Sequence, residues 1–323
     1  MRLLVGGGAG FIGSNFARVR VRGHEDEVVV LDKLTYAGRR ETLRDLEGEE
    51  RFSFVHGAIE GREVVVNFAA ETHVDRTLSA PDAFVTTNAQ GTYVLLEAAR
   101  ARGVRYLQVS TDEVYGSIAE GSFTEASPLA PSSPYSATKT GADLLVASYF
   151  HTYALPTLIC RGSNNYGPYQ YPEKLIPLMI LNAMHGDPLP VYGDGQNVRN
   201  WLYVEDFAHG IGQVLEHGHA GETYNIGGPD ECTNLEVVKR ILELTGRDES
   251  LVEHVPDRPG HDRRYSLASE KIRALGWSPH MRFADGLERT LNWYRENAWW
   301  WEPIRTGAYR EYYERQYGRA LGS

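Results

Sequence analysis

The sequence predicts an α/β fold, a doubly wound parallel sheet with a smaller, loop-rich C-terminal lobe. Three observations carry this. Short β-branched runs recur through the first half, at "RLLV", "EVVVLD", "RFSFVHG", "EVVVNFAA", "VRYLQVS" and "PTLICRG". Helical stretches lie between several of them, notably residues 81–102 and 136–153. Continuous apolar strands alternating with helices imply a parallel sheet covered on both faces. After Gly162 the character changes, and proline, glycine and tyrosine become dense in "NNYGPYQYPEK" and "PLPVYGDG".

The elements follow in order. "RLLV" reads as the first buried strand and "FIGSNFARVRV" as the helix after it. "EVVVLD" is the second strand, and the remaining runs continue the series. "RNWLYVEDFAHGIGQVLEHG" and "ETYNIGG" read as a helix and strand returning to the first domain. We therefore expect a dinucleotide domain over residues 1–163 with returning segments at about 200–228, and a ligand lobe over most of 164–323. The aromatic, charged stretch from Trp299 onward reads as an amphipathic cap, and Trp299–Trp301 as packing.

With 323 residues, 42% of them apolar, a sizeable core is available. A net charge of −10 and a pI of about 5.6 argue against nucleic-acid or anionic-membrane partners. Cys160 and Cys232 show no CxxC spacing and no HExxH occurs, so no metal site and no disulfide framework is expected. The start "MRLLVGGGAGFIG" does not resemble a signal peptide, and no apolar run reaches the ~18 residues of a membrane span. A reducing, cytoplasmic setting is the default expectation.

"GGAGFIG" places Gly7, Gly10 and Gly13 between the first strand and first helix. Glycine permits the tight turn there and lets backbone N–H groups approach a pyrophosphate at the helix N-terminus, as in Rossmann-type sheets. Asp32 ends the second strand, where a carboxylate accepts from both ribose hydroxyls and repels a 2′-phosphate, so NAD is favoured over NADP. "NFAAETHVD" leaves its strand with small residues, as backbone passing close to a nucleotide requires. Tyr135 and Lys139 form Y-x-x-x-K on one helical face. The ammonium is expected to lower the phenol's pKa, so that a phenolate takes a hydroxyl proton while hydride leaves the same carbon.

"VSTDEVYG" sets Thr111, Asp112 and Glu113 at the end of a strand. Adjacent acids there are either a solvated loop or a divided acid and base. The residues alone leave both readings open.

The sequence resembles the extended short-chain dehydrogenase/reductase family nearly end to end. "VSTDEVYG", "SPYSATK", "NNYGPYQYPEKLIP", "VYGDGQNVRNW" and "DRPGHDRRYS" carry the resemblance in order and spacing. It implies an enzyme acting on a dTDP-sugar, a homodimer built through the helices at 81–102 and 136–153, and no membrane or nucleic-acid partner. The small residues Ala137, Gly141 and Ala147 would allow close helix approach there. The implied activity is NAD-dependent dehydration of dTDP-glucose to its 4-keto-6-deoxy product, a hydro-lyase reaction. In this reading Thr111 bonds the sugar's 4-oxygen, Asp112 is the general acid, Glu113 the general base, and Tyr135 with Lys139 serves C4 oxidation. The implied cofactor contacts are Gly7, Gly10, Phe11, Ile12, Gly13, Asp32, Lys33, Leu34, Thr35, Ala58, Ile59, Phe68, Ala69, Ala70, Thr87, Tyr135, Lys139 and Asn165. For the substrate they are Thr72, Thr111, Asn164, Lys174, Leu175, Pro190, Tyr192, Arg199, Asn234, Arg258 and His261, with Arg199 on the diphosphate. His73 and Asp75 are read as loop support.

Two positions depart from the family pattern. Gly6 stands where a threonine is usual, and Ala58 where an aspartate is usual; both bear on NAD affinity. Competing readings are a nucleotide-sugar 4-epimerase or UDP-glucuronate decarboxylase on the same scaffold, and a non-catalytic NAD-sensing binding protein. Asp112 beside Glu113 discriminates against the first pair, and an intact Tyr, Lys and acid cluster against the last.

One stretch conflicts with the pattern. Only "AIEGR" separates "RFSFVHG" from "EVVVNFAA", whereas a parallel crossover needs about a dozen residues. The resemblance implies that the two strands are parallel neighbours, so residues are expected to be missing from the chain, with a break between Gly57 and Val64.

Overall fold

The computed structural model describes residues 1–55, 61–72, 81–257, 260–306, 309–310 and 313–314. Its strands include continuous Val and Leu runs, as expected where both faces of a strand are covered, and also polar stretches such as NNY and DECT. They are β1 (Arg2–Gly6), β2 (Glu27–Leu31), β3 (Phe52–Phe54), β4 (Val64–Asn67), β5 (Arg105–Thr111), β6 (Thr157–Gly162), β7 (Asn164–Tyr166), β8 (Leu189–Tyr192), β9 (Val198–Tyr203), β10 (Thr223–Ile226), β11 (Asp230–Thr233) and β12 (Val252–Val255).

Seven strands make one parallel sheet in the order β10-β6-β5-β4-β1-β2-β3. In register, Leu3 lies between Val28 and Val64. The helices Phe11–Gly23 and Val204–His217 cover one face, where Phe16, Val21, Phe207, Ile211 and Val214 are buried over Leu3, Val5 and Val28. On the other face Leu96 and Val146, from the helices Gly91–Arg102 and Pro134–Tyr153, pack on Leu4, Val29, Val65 and Tyr106. The helix Val204–His217 packs on this sheet and β10 pairs with β6.

The remaining strands form a β11-β9-β7 sheet and a β12-β8 pair. Their core gathers Tyr166, Trp201 and Tyr294 with Trp300 and Trp301. Trp300 and Trp301 are buried within the helix Ala298–Thr306, whereas Trp299 is exposed and the Arg44 guanidinium lies over its ring. Over the described residues Ala298–Thr306 the helix is amphipathic, with Trp300 and Trp301 packed inward, whereas Trp299, also read as packing, is not buried.

The expectation about the short linker needs correction. β3 and β4 are parallel but are not neighbours, since β2 and β1 stand between them. The chain builds outward from β1 to the sheet edge and then resumes on the other side of β1, the reversal at which open α/β sheets bind ligands. Of the segment 57–64 on which a break was expected, residues 57–60 lie outside the described residues, with Ala58 and Ile59 among them; so do His73, Asp75 and Arg258. At Gly6 a β-carbon would meet only ordinary contacts, the nearest being Asn67 Oδ1 at 3.4 Å. No described helix is long and apolar enough to cross a membrane, and no described cluster of His, Cys, Asp or Glu is placed to hold a metal.

Candidate active site

A cavity of about 260 Å³ opens at the carboxyl ends of β1, β4, β5 and β6. Its floor is the glycine turn. Gly7 has φ +73° and lies so close to the β4 loop that a β-carbon would stand 2.5 Å from Ala69 N. One on Gly13 would stand 2.5 Å from Gly7 O. Gly10 precedes the helix Phe11–Gly23 in extended conformation and caps it without a side-chain bond, leaving the helix N-terminus open to a ligand. Asp32, just past β2, is fixed by two backbone donors, Ala9 N at 2.9 Å and Leu34 N at 2.8 Å. Each carboxylate oxygen keeps acceptor capacity for ribose hydroxyls. Turn, helix N-terminus and oriented carboxylate together fit a dinucleotide.

The wall beside it is β4 and the loop after it. Asn67 is buried and donates to Tyr106 Oη (3.0 Å) and Gln108 Oε1 (3.1 Å), while its own Oδ1 accepts from Ala69 N (3.1 Å). This holds Phe68 and Ala70 against the cavity. Farther along, Asn88 accepts from Glu71 N at 2.9 Å and donates to Thr138 Oγ1 at 3.0 Å, tying the loop to the helix Pro134–Tyr153. Asn88 lies in a single π-helical stretch, Val85–Gln90, a local irregularity often found beside functional sites.

The candidate acid pair sits where β5 ends. Thr111 closes the strand, and its Oγ1 accepts from Glu113 N at 3.3 Å and contacts Asp112 Oδ1 at 3.2 Å. Asp112 is 2% exposed, and its Oδ2 has no hydrogen-bond partner among the described residues. Burial, then the charge of Glu113, pushes the Asp112 carboxyl up to about 7, against a smaller opposing pull from Arg199. Glu113 is half-buried. The adjacent acids thus occupy different environments, and the solvated-loop reading does not describe them.

Tyr135 and Lys139 enter from the facing helix. Ser133 and Ser136 form its capping box and Pro134 its first turn, which fixes where the helix begins and so where Tyr135 points. Lys139 Nζ donates to Val109 O at 2.7 Å. Burial brings the ammonium down to about 8, with Asp143 opposing the fall. The expected lowering of the phenol is not found. Burial first, and then the negative charge of Glu113, hold Tyr135 well above its ordinary value, since both penalise a phenolate more than Thr111's hydrogen bond favours it.

Of the residues expected from sequence, Gly7, Gly10, Phe11, Ile12, Gly13, Phe68, Ala70, Thr72, Thr111, Asp112, Glu113, Tyr135, Lys139, Asn164, Asn165 and Lys174 line this cavity. Lys174 Nζ donates to Thr72 O at 2.7 Å and so joins the two loops. Asp32, Lys33, Leu34, Thr35, Ala69, Thr87 and Leu175 lie outside the lining. Pro190, Tyr192, Arg199, Asn234 and His261 also lie outside it, although the charge of Arg199 reaches Asp112. Tyr192 and His261 meet edge to face, with ring centroids 6.3 Å apart. Sequence reasoning missed Ala37, Ser110, Tyr169, Gln170, Tyr171 and Glu173, all in the lining. The last four sit inside the quoted motif "NNYGPYQYPEK", and that was the available signal.

A Rossmann sheet with a glycine turn, a Tyr-x-x-x-Lys helix and a buried acid beside the tyrosine defines a dinucleotide-dependent enzyme of the short-chain dehydrogenase/reductase type. The family model described as GDP-mannose 4,6 dehydratase matches residues 4–290. The chain belongs to this family, within the extended short-chain dehydrogenase/reductases. It is 51% identical to a dTDP-glucose 4,6-dehydratase of Streptomyces niveus, over 95% of this chain and 96% of that protein. It is similar to the solved DesIV dTDP-glucose 4,6-dehydratase of Streptomyces venezuelae with NAD bound, at TM-score 0.92 and 52% identity, covering 94% of this chain and 100% of that one. Alignment with dTDP-glucose 4,6-dehydratase 1 of Escherichia coli, at 46% identity over 98% of this chain and 99% of that protein, runs over 357 positions against 323 residues here. That relative therefore carries residues without a counterpart in this chain.

Proposed function

We propose that this chain is an NAD-dependent dTDP-glucose 4,6-dehydratase, converting dTDP-glucose to dTDP-4-keto-6-deoxy-glucose. The observation that carries the reading is Asp112, a buried carboxyl raised to about 7 beside the half-buried Glu113, in the cavity that also holds Tyr135 and Lys139. The relatives' names point the same way.

Gly7, Gly10 and Gly13 would hold the pyrophosphate of NAD, Asp32 a ribose, and Phe68–Ala70, Asn165, Tyr135 and Lys139 the nicotinamide half. NAD when bound supplies a hydride acceptor that later returns the hydride, and a cationic ring that favours phenolate. Tyr135 takes the C4 hydroxyl proton, helped by the Lys139 ammonium and by Thr111, which bonds the same oxygen. The 4-ketone so formed acidifies the C5 proton. Glu113 removes that proton while Asp112 protonates the departing C6 hydroxyl, which leaves as water. The hydride held by the cofactor would then be returned to C6, and Glu113, protonated in the preceding step and able to exchange with solvent, would return a proton to C5. One carboxylate must be charged and its neighbour neutral, and unequal burial of adjacent acids is the physical means.

Thr72, Asn164 and Lys174 would meet the hexose, Arg199 the diphosphate, and Pro190, Tyr192, Asn234 and His261 the nucleoside end, with Arg258 from the resemblance. In this reading residues 1–163 with the segment 200–228 serve the cofactor, and the rest mainly the nucleotide-sugar. A 4-epimerase has no use for an acid beside the base, and a decarboxylase expels CO₂ without protonating a leaving hydroxyl. A non-catalytic sensor would not be expected to keep Tyr135, Lys139 and the acid pair together. The same reading sets the chain in the cytoplasm, with Cys160 and Cys232 as free thiols.

Because the cycle is redox-neutral, NAD should copurify and survive turnover. Denaturing the protein and assaying the supernatant should release NAD; NADP in its place would contradict the role given to Asp32.

The homodimer belongs to the same reading. Val85, Tyr93, Val94, Leu144 and Tyr153 are all exposed large apolar residues, and all lie on the helical run 81–102 or the helix Pro134–Tyr153. Gly141, on the second of these helices, has open space where a β-carbon would stand. Apolar side chains gathered on one helix pair mark an interaction face. Sedimentation at micromolar concentration should give a dimer, and Leu144→Glu should shift it toward monomer. A parent protein that sediments as a monomer would remove this part of the proposal.

A further inference from the structure

Gln170 lines the cavity and is 8% exposed. Its amide is oriented by its surroundings. Nε2 donates to Asn165 O at 2.9 Å, and the reversed amide would set two carbonyl oxygens against each other. Oε1 is therefore the free end, and it is buried with no hydrogen-bond partner among the described residues. The backbone beneath it is also held. Tyr169 has φ +67°, a left-handed conformation uncommon for a non-glycine residue. Its ring is fixed by Trp293 at 4.6 Å, by Trp300 at 5.5 Å and by the Arg18 guanidinium at 4.0 Å. Tyr294 Oη donates to Gln170 O.

A buried acceptor left without a donor is costly, and a non-glycine residue held in the left-handed region, as Tyr169 is beside it, is a form of strain that clusters at binding sites. Asn164 Oδ1 and Asn165 Oδ1 are buried acceptors in the same state in the same cavity, and Asn165 is turned by its own bond to Ser163 O at 2.9 Å. This wall asks for N–H or O–H donors and disfavours phosphate or carboxylate. We infer that Gln170 is a ligand-binding residue whose Oε1 accepts a hydrogen bond from an N–H or O–H donor of the bound cofactor or sugar. The two sources of that donor are the carboxamide of the nicotinamide and a hydroxyl of the hexose. The inference rests on the dehydratase reading of the cavity.

The test uses the full chain, stripped of nucleotide, as parent, Gln170→Met and Gln170→Glu. Affinity is measured for NAD, and for dTDP-xylose (which has no C6 to eliminate) on NAD-loaded protein. Gln170→Met should bind one of the two about tenfold more weakly at unchanged melting temperature, and the ligand affected names the donor. In Gln170→Glu the acid form reproduces the amide pattern, its O–H on Asn165 O and its carbonyl oxygen toward the ligand. Relative to the parent at the same pH, its affinity should approach the parent's below about pH 6 and fall about tenfold by about pH 8, a dependence added to that of Asp112 and Lys139 in the parent. The inference is overturned if Gln170→Met binds both ligands as the parent does, or loses only thermal stability. It is equally overturned if Gln170→Glu shows no added pH dependence. A parent that binds neither ligand would overturn the dehydratase reading itself, and the inference with it.

Discussion

Asp112→Asn is expected to slow water elimination from dTDP-glucose by about 10²–10⁴-fold while C4 oxidation continues, the range typical of general acid catalysis. The carboxyl is 2% exposed, and burial and the neighbouring Glu113 charge raise it to about 7. A carboxyl raised in this way is neutral below about 7 and gives up its proton above it. Its competence as an acid therefore falls as pH rises through that value. Lys139, lowered to about 8, loses its ammonium in the same direction, so both groups predict an alkaline decline. An asparagine retains hydrogen bonding but has no proton to give. NADH should accumulate in single turnover of the variant, because oxidation precedes the blocked step. A substrate carrying fluoride at C6 needs less protonation and should recover much of the rate. Equal loss on both substrates would show that Asp112 is not the acid.

Glu113→Gln should show a loss of comparable size, about 10²–10⁴-fold, with a different isotopic signature. Glu113 is half-buried, and its backbone N–H is held by Thr111 Oγ1 at 3.3 Å, which fixes the residue next to the acid without sealing it from the cavity. An amide cannot take a proton from C5. In D₂O the parent should exchange the C5 proton of the sugar, and the variant should not. Deuterium entering C5 at the parent rate would give the base role to another residue.

Much of this was legible in the sequence for definite physical reasons. A strand buried on both faces has to be continuously apolar, so "RLLV" and "EVVVLD" announce themselves. A glycine turn followed by Asp32 encodes a dinucleotide cradle that backbone collisions enforce, whereas the Tyr135 helix begins at Pro134, two residues before the start read from the sequence, because Ser133 and Ser136 cap it there. Lateral order was less legible. Linker length says how far the chain travels, not over which strands, and β3 and β4 proved to be separated by two others. The Tyr135 phenol was misjudged because its value depends on burial by elements distant in sequence and on Glu113, not only on the lysine one turn away. Gln170 lay inside a quoted motif, yet its free carbonyl oxygen depends on a left-handed Tyr169 held by Trp293 and Trp300, more than a hundred residues downstream.

The most direct test of the account is the fate of hydrogen from C4. The protein, with the NAD it carries, is incubated with dTDP-glucose deuterated at C4, and the product is read by NMR and mass spectrometry. The account predicts a 4-keto-6-deoxy sugar with the deuterium at C6, a solvent-derived proton at C5, and no stoichiometric consumption of NAD. A product that keeps its C6 hydroxyl, whether unchanged or inverted at C4, would contradict it.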